Sequence, residues 1–271
     1  MELDKVTTLI LDEADLMLKR GFLKDIKDLI RYLPKRKQTL FFSATIDRSI
    51  KKQAYELIHK NAIRIQISPK NPVAKNIYHQ TTRLEMEDKR FFLERLVREN
   101  HKAKIIAFVR TKVRAERVKK AMERVNIQSL SIHSDKSQLE REDILKDFKS
   151  GKTKLLIATD VSARGVDIPN VDIVVNYDIP DIAENYVHRV GRTGRGKNKG
   201  YAISFCSETE IELLEDIEFY LGAKIEEIEI DRFEYQNTLD FSKDSRGIDW
   251  KTLTMKAIEA DRPLKKKKKK K

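Results

Sequence analysis

Short apolar, β-branched runs alternate with longer amphipathic stretches along this chain, and this pattern constrains its fold more than any other feature. Runs such as Leu155–Ala158 are apolar at every position, which is typical of a central strand covered on both faces. Helical periodicity follows most of these runs, and a repeated strand–helix order predicts a parallel sheet. The sequence therefore predicts an α/β fold of parallel sheets with helices on both faces.

The proline-containing segment Ser68–Pro72 interrupts this alternation and is a candidate linker. Before it, strands are predicted at Thr7–Leu11, Gln38–Phe42 and Ile63–Ile67, and three strands are too few for a stand-alone core. After it, predicted strands lie near Ile77–Leu84, Lys104–Val109, Ser129–His133, Lys154–Thr159, Asp172–Asn176 and Tyr201–Cys206. Helices are predicted between most of them, including 88–99, 113–125 and 138–150.

This pattern predicts four segments along the chain. Residues 1–68 would be the C-terminal part of a first domain, and residues 69–76 a linker. Residues 77–226 would form a complete second domain. Beyond about residue 230 the periodicity fades, so residues 227–271 are predicted to be a polar tail that is disordered by itself.

Charge indicates an anionic partner. The formal net charge is +13, but seven of these charges belong to the unbroken lysine run Lys265–Lys271, so the rest of the chain carries +6. Nucleic acid is the commonest anionic partner of a basic protein. The lysine run either raises the affinity for such a partner in a salt-dependent way or is solvated without a particular partner, and both alternatives stay open.

Cysteine usage and hydropathy restrict the cellular compartment in which the protein is expected. The single cysteine, Cys206, lies in an apolar run and is expected to be a buried thiol in a reducing compartment. No leader sequence opens the chain, and no apolar run is long enough to cross a bilayer. We therefore expect a soluble, cytoplasmic protein without a membrane partner.

Polar motifs follow several predicted strands, at the positions where functional groups of open α/β sheets gather. The first strand ends in Asp12-Glu-Ala-Asp15, an arrangement that nucleotide hydrolases use to hold Mg²⁺ and position water. The second ends in Ser43-Ala-Thr45. In the second domain, His188–Arg195 combines three arginines with two glycines, which suits close phosphate contacts. Thr159–Asp167 follows another strand and offers a hydroxyl, amides and an arginine to a sugar-phosphate backbone.

Six motifs together resemble the DEAD-box RNA helicases in order and spacing. They are DEAD at 12–15, SAT at 43–45, FVRT at 108–111, QLER at 138–141, ATDVSARGVDIP at 158–169 and HRVGRTGR at 188–195. The resemblance covers roughly residues 1–225, and within the family the chain looks like a bacterial member. It implies RecA-like domains and an enzyme that couples ATP hydrolysis to local unwinding of short RNA duplexes.

The resemblance also implies roles for single residues, with ATP and Mg²⁺ as cofactors. Asp12 would hold Mg²⁺ through water, and Glu13 would orient the attacking water. A network linking the ATP state to the RNA grip would be formed by Asp15, Ser43, Thr45 and His188. Arg192 and Arg195 would be arginine fingers at the γ-phosphate, and Asp167 would bind the ATP ribose. The RNA path would be lined by Arg110, Thr111, Arg141, Thr159 and Gly165. Such proteins grip single strands or short duplexes with little sequence preference.

The sequence contains no P-loop motif, which in this family lies upstream of DEAD. Gly151-Lys-Thr153 is not one, because Lys146 stands where its first glycine belongs and a strand follows; Gly151 is predicted to end a helix instead. We therefore expect a chain truncated at its N-terminus, without ATPase activity alone. One alternative is a non-catalytic RNA-binding or regulatory fragment. Another, a DNA helicase of the same superfamily, is disfavoured by the DEAD and SAT motifs.

Overall fold

The computed structural model describes residues 3–19, 21–43, 48–59, 61–65, 72–160, 168, 171–194, 196 and 198–240. The chain divides into two compact units, Met1–Ser68 (unit 1) and Pro69–Lys271 (unit 2). The division falls within the proline-containing segment that interrupts the strand–helix alternation.

Unit 1 is built on two parallel strands. Its elements in order are β1 (Thr8–Leu11), α1 (Ala14–Lys19), α2 (Leu23–Arg31), β2 (Gln38–Phe41) and α3 (Arg48–Leu57). Leu11 pairs with Phe41 in the parallel register, so both strands end at the same edge. The core of the unit consists of Leu11, Ala14, Leu18, Ile26 and Ile50. Gly21, with a φ of 84°, separates α1 from α2, because only glycine adopts that conformation readily.

The prediction of a third strand in unit 1, at Ile63–Ile67, is wrong over residues 63–65, which do not form a strand. Ile63 and Ile65 are 91% and 82% exposed. Among the described residues of unit 1, β1 and β2 pair only with each other, so no neighbouring strand covers this segment. Apolar alternation produces a strand only where a partner satisfies its backbone and packs against its side chains. Gln66 and Ile67 lie outside the described residues.

Unit 2 contains a seven-stranded sheet in the order β5-β6-β4-β7-β8-β3-β9, with every pair parallel. Its strands are β3 (Ile77–Arg83), β4 (Ile105–Phe108), β5 (Ser129–Ile132), β6 (Leu155–Ala158), β7 (Ile173–Asn176), β8 (Gly200–Cys206) and β9 (Glu226–Glu227). Its helices are α4 (Lys89–Glu99), α5 (Lys112–Arg124), α6 (Gln138–Ser150), α7 (Ala183–Val190), α8 (Ile211–Leu221) and α9 (Arg232–Asp240). The predicted parallel α/β fold is confirmed, and Cys206 is buried at the end of β8 as predicted.

Helices cover both faces of this sheet, because successive side chains of each strand point in opposite directions. Ile106 and Phe108 of β4 pack with α6, α7 and α8, and this side is called the α8 face. Ile105 and Ala107 pack with α4, α5 and α9, and this side is called the α5 face. Both sides are closed by apolar clusters, which explains the continuous apolar runs of the central strands.

Local capping explains where α6 begins and ends. Ser137 and Glu140 form a reciprocal capping box at its first turn. Gly151 ends the helix in the left-handed conformation, with a φ of 77°, and β6 follows at Leu155. The prediction that Gly151-Lys-Thr153 ends a helix and does not form a P-loop is confirmed.

The structure differs from the predicted disordered tail at Arg232–Asp240, which form α9. The ring of Tyr235 packs on Phe92 with centroids 5.0 Å apart, and its hydroxyl donates to Asp88 at 2.8 Å. Thr238 is 1% exposed and accepts a hydrogen bond from Arg95. One ring contact and several hydrogen bonds therefore hold α9 against the α4 region, and so few apolar contacts leave no hydrophobic periodicity in the sequence. None of the helices in the described part of the chain has the length and hydropathy needed to cross a bilayer.

Candidate functional site

In unit 1, the DEAD and SAT segments come together at the ends of β1 and β2. The N–H of Phe42 donates to the carbonyl of Leu11 at 2.8 Å, and the N–H of Ala14 donates to the carbonyl of Phe42 at 3.0 Å. Asp12 and Ser43 therefore follow neighbouring parallel strands at one edge of the sheet, as the motif positions predict. Thr45 lies outside the described residues.

Glu13 has a strained backbone at this edge. Its φ is 48°, in the left-handed region that costs a residue with a side chain about 1–2 kcal/mol. Its N–H donates to Asp12 Oδ1 at 2.8 Å, and its carbonyl accepts from the N–H groups of Leu16 and Met17. Asp15, in the first turn of α1, is 7% exposed. The strand-to-helix junction thus fixes Asp12 and Glu13 outside the core and Asp15 within it, and strain of this kind clusters at functional sites.

The exposed carboxylate of Asp12 is suited to Mg²⁺. Mg²⁺ prefers oxygen ligands, keeps several of its waters and binds through one or two carboxylates plus phosphate oxygens. Among the described residues, no group of three or more His, Cys, Asp or Glu side chains is placed to hold a metal. One exposed carboxylate at a strand end fits a hydrated ion that is shared with a nucleotide, and does not fit an all-protein metal cage.

In unit 2, several predicted RNA contacts lie at the carboxyl ends of β6 and β4, which are neighbours in the sheet. Thr159 follows β6, is 7% exposed, and its N–H donates to the carbonyl of Ile132 at 3.3 Å. Thr111 caps α5 by accepting the N–H of Arg114 at 3.2 Å. The strand ends therefore bring Arg110, Thr111 and Thr159 to one edge of the sheet.

The guanidinium of Arg110 is held by carboxylates. It donates to Glu210 at 2.7 Å and pairs with Asp181 at 3.2 Å, while remaining 34% exposed. Glu210 is also paired with the fully buried ammonium of Lys89. Burial favours the neutral acid, but the charge of Lys89 and the hydrogen bonds from Lys89 and Ser207 together outweigh it and keep the pKa of Glu210 below its ordinary value. Arg110 is thus anchored inside unit 2, and only part of its side chain faces outward.

Arg189, to which the sequence analysis gave no role, fastens α7 to the sheet. It is 1% exposed and forms a two-point contact with Asp160, at 2.6 and 2.9 Å. Its Nη1 donates to the carbonyl of Asp178 at 2.7 Å and to Asn176 Oδ1 at 3.3 Å. The motif HRVGRTGR therefore contains an internal anchor between His188 and Arg192. The sequence contains one signal for this anchor, because Arg189 stands at a position of α7 that faces the core.

The loop that follows α7 is held by close backbone packing. A Cβ on Gly194 would lie 2.5 Å from Ile77 Cγ1, and a Cβ on Gly200 would lie 2.3 Å from the Gly194 nitrogen. Thr193 donates to the carbonyl of Asp172 at 3.0 Å. Asn76, in the predicted linker, donates to the carbonyls of Gly194 and, at 2.7 Å, Asn198. These contacts fix the loop that carries Arg192.

The remaining predicted residues are less closely defined. His188 and Arg192 are half-buried, in the last turn of α7 and just after it. Arg141 lies in the first turns of α6, and its buried Nε has no hydrogen-bond partner in the described part of the chain. Gly165, Asp167 and Arg195 lie outside the described residues.

A polar cluster joins α5 to the end of β5. Glu116 accepts from Ser131 at 2.7 Å, lies 2.8 Å from the His133 ring and pairs with Lys136 at 3.3 Å. Burial favours the neutral acid, but the hydrogen bonds from these three neighbours outweigh it and lower the pKa of Glu116 to about 2. Its carboxylate is therefore ionised at every ordinary pH.

Family comparisons agree with this geometry. A model of the helicase conserved C-terminal domain matches residues 88–197, and a DEAD/DEAH box helicase model matches residues 1–53. The chain is 37% identical over 229 residues to "ATP-dependent RNA helicase DbpA" of Bacillus subtilis, covering 84% of this chain and 48% of that protein. It is 35% identical over 229 residues to "ATP-dependent RNA helicase eIF4A" of Scheffersomyces stipitis, covering 84% of this chain and 57% of that protein.

Solved structures give the same result. S. cerevisiae Dbp5 bound to RNA and ADP BeF3 matches with a TM-score of 0.76 and 32% identity, over 90% of this chain and 63% of that one. The C-terminal domain of Dbp5 matches with a TM-score of 0.55 and 32% identity, over 60% of this chain and 96% of that one. The chain spans about half the length of the curated relatives it matches.

Proposed function

The chain belongs to the DEAD-box helicase family, and on that basis we propose that it serves ATP-dependent remodelling of RNA, in which short duplexes are separated locally. One observation carries the proposal. The described residues of the DEAD, SAT and FVRT motifs, together with Thr159, lie at the carboxyl ends of parallel strands in both units, where open α/β sheets of the RecA-like type bind their ligands.

In unit 1, we assign nucleotide chemistry to the end of β1. Asp12 would hold a hydrated Mg²⁺, and the ion would neutralise charge on the ATP phosphates. Glu13 would accept a hydrogen bond from the attacking water and so orient it. The strained junction supports this role, because it holds both carboxylates outside the core. Asp15, Ser43 and Thr45 would couple this site to the RNA grip, together with His188.

In unit 2, we assign the RNA to the carboxyl edge of the sheet and the nucleotide to the loop after α7, which packs against residues at or just before the starts of β3, β7 and β8. Arg192 and Arg195 would approach the γ-phosphate, and Asp167 the ribose. The clamped loop after α7 supports this assignment for Arg192, because an arginine finger needs a fixed backbone to place its charge. Arg110, Thr111, Arg141, Thr159 and Gly165 would line the RNA path.

Contacts of this kind read the sugar-phosphate backbone and its 2′-hydroxyls, so we propose single strands or short duplexes of any sequence as the substrate. The buried thiol of Cys206, the one cysteine of the sequence, supports our proposal of a reducing, cytoplasmic location.

RNA binding by the 271-residue chain tests the proposal. Fluorescence anisotropy with labelled single-stranded RNA should give saturable binding that DNA of the same sequence competes poorly. Arg141→Gln should weaken binding about 5–30-fold, because losing one charge-assisted contact costs about 1–2 kcal/mol of binding free energy. Arg31→Gln, the same change at an exposed position of α2, is the control and should change the affinity less than twofold. Equal competition by DNA would favour the DNA helicase alternative, and equal effects of the two variants would contradict the proposed RNA path.

The other alternative is a non-catalytic RNA-binding fragment, and the missing P-loop sequence favours it for these 271 residues. Such a fragment would bind RNA equally well with and without ATP and Mg²⁺. An ATP-dependent change in RNA affinity would instead support the nucleotide site of unit 1.

A further inference from the structure

Charge is divided between the two faces of unit 2. Helix α5 carries six basic side chains and two acidic ones along Lys112–Arg124. Helix α8, on the opposite face, carries four acidic side chains and no basic one along Ile211–Leu221. An anionic polymer held at the edge of this sheet is therefore attracted to the α5 face and repelled from the α8 face.

Half of the α5 cations are already neutralised within the protein. Lys112 pairs with Asp135 at 2.9 Å, Arg114 with Asp178 at 2.9 Å and Lys119 with Glu123 at 3.0 Å. The other three basic side chains of α5 are exposed and have no ion pair with any described residue; these are Arg117, Lys120 and Arg124, called the α5 stripe.

The α5 stripe lies on one side of the helix. Its members are spaced three and four residues apart, so they are neighbours on the helix surface, where like charges repel. Seven residues separate Arg117 from Arg124, a rise of about 10 Å. The phosphates of a stacked strand rise by about 3.4 Å each along the strand axis, so the length of the stripe matches a span of about three phosphates.

The stripe also begins beside the proposed RNA path. Thr111 caps the first turn of α5, and Val113 and Arg117 line a surface concavity together with His133, which follows β5. An RNA strand that leaves the carboxyl edge of the sheet at Thr111 therefore meets α5 next. On the α8 face it would meet exposed carboxylates instead.

From these observations we propose that the α5 stripe binds the phosphate backbone of the RNA segment that leaves the carboxyl edge of the unit 2 sheet. This inference rests on the proposed RNA-binding function and extends it to a surface outside the six motifs. Its contacts would be independent of base sequence, because guanidinium and ammonium groups would meet phosphates alone.

A pair of matched double variants tests the proposal. Arg117→Gln with Lys120→Gln removes two charges from the stripe. Lys146→Gln with Lys149→Gln removes two charges from exposed positions of α6, which packs on the α8 face. Glutamine preserves helix propensity in both cases, and circular dichroism checks the fold. The lysine run stays intact in both proteins, so its contribution to salt dependence is the same.

The measurement is the RNA binding constant K as a function of salt concentration. It uses single strands of about 5 and about 15 nucleotides, because these lengths lie near the two ends of the common range of single-strand site sizes. The α5 variant should lower the slope of log K against log salt for the long strand by about 1.4, or 0.7 for each lost phosphate contact. For the short strand it should change nothing. The α6 variant should match the unaltered chain with both strands.

Two results would overturn the inference. If the unaltered chain binds RNA and the α5 and α6 variants show the same slope, the stripe proposal fails and the proposed function stands. If the unaltered chain binds neither strand, the proposed RNA-binding function fails, and the stripe proposal fails with it.

Discussion

Replacing Arg189 with alanine should destabilise unit 2 far more than removing an exposed cation. The side chain is 1% exposed and makes four hydrogen bonds, two of them to Asp160. The change leaves the Asp160 carboxylate without its charged partner, with Asn185 still donating at 3.4 Å, and leaves Asn176 Oδ1 and the Asp178 carbonyl without this donor. It also opens a cavity where α7 meets the ends of β6 and β7.

Loss of one member of a buried ion pair costs about 3–5 kcal/mol, because the remaining charge is not compensated. Asp160 is 22% exposed and regains some hydration, which places the expected cost toward the lower end. Lys152→Ala is the control, since Lys152 pairs with Asp147 at 3.0 Å but is 72% exposed. Exposed pairs contribute about 0–1 kcal/mol.

Urea unfolding followed by far-UV circular dichroism measures both costs. With an m-value of about 2 kcal/mol per molar urea, Arg189→Ala should lower the midpoint of the unit 2 transition by about 1.5–2 M. Lys152→Ala should lower it by less than about 0.5 M. Equal midpoints for the two variants would refute the conclusion that Arg189 anchors α7.

Three further outcomes are expected. Gly194→Ala places a Cβ 2.5 Å from Ile77 and should cost about 3 kcal/mol in thermal or urea unfolding; Gly196→Ala, with a similar φ and no atom within 4 Å, should cost only about 1 kcal/mol. Glu116→Gln should lower stability at neutral pH. Because the folded pKa of Glu116 is about 2, against an ordinary 4.5, this loss should shrink as pH falls from 4.5 and vanish near 2; a constant difference in unfolding free energy would contradict it. The 271-residue chain should show no RNA-stimulated phosphate release from ATP, because its sequence lacks the glycine-rich loop and lysine that hold the phosphates. Turnover comparable to that of a full-length relative would disprove this.

Much of the fold was predictable because its determinants are local. Apolar runs such as Leu155–Ala158 are buried on both faces of the unit 2 sheet, and the sequence shows this directly. Gly151 was predictable from its place between a helical pattern and a strand. The errors lie where the outcome depends on distant partners: Ile63 and Ile65 alternate like a strand, but no strand pairs with them in the described part of unit 1. The contacts of Tyr235 are to residues more than 140 positions away, which no local pattern reveals.

For the candidate site, the motifs identified the segments, and packing decided what each side chain contacts. Arg189 and Arg192 lie three residues apart in one arginine-rich motif. Arg189 is 1% exposed and donates its hydrogen bonds to residues at the ends of the sheet strands, whereas Arg192 is half-buried. Arg110 is likewise tied to Glu210, so its charge is largely balanced within unit 2. Loss of RNA binding or catalysis after substitution of Arg189 therefore cannot be read as loss of a phosphate contact unless the free energy of unfolding is measured on the same variant. The α5 stripe, whose side chains are exposed and have no ion pair with any described residue, is the place where an effect on ligand binding can be separated from an effect on stability.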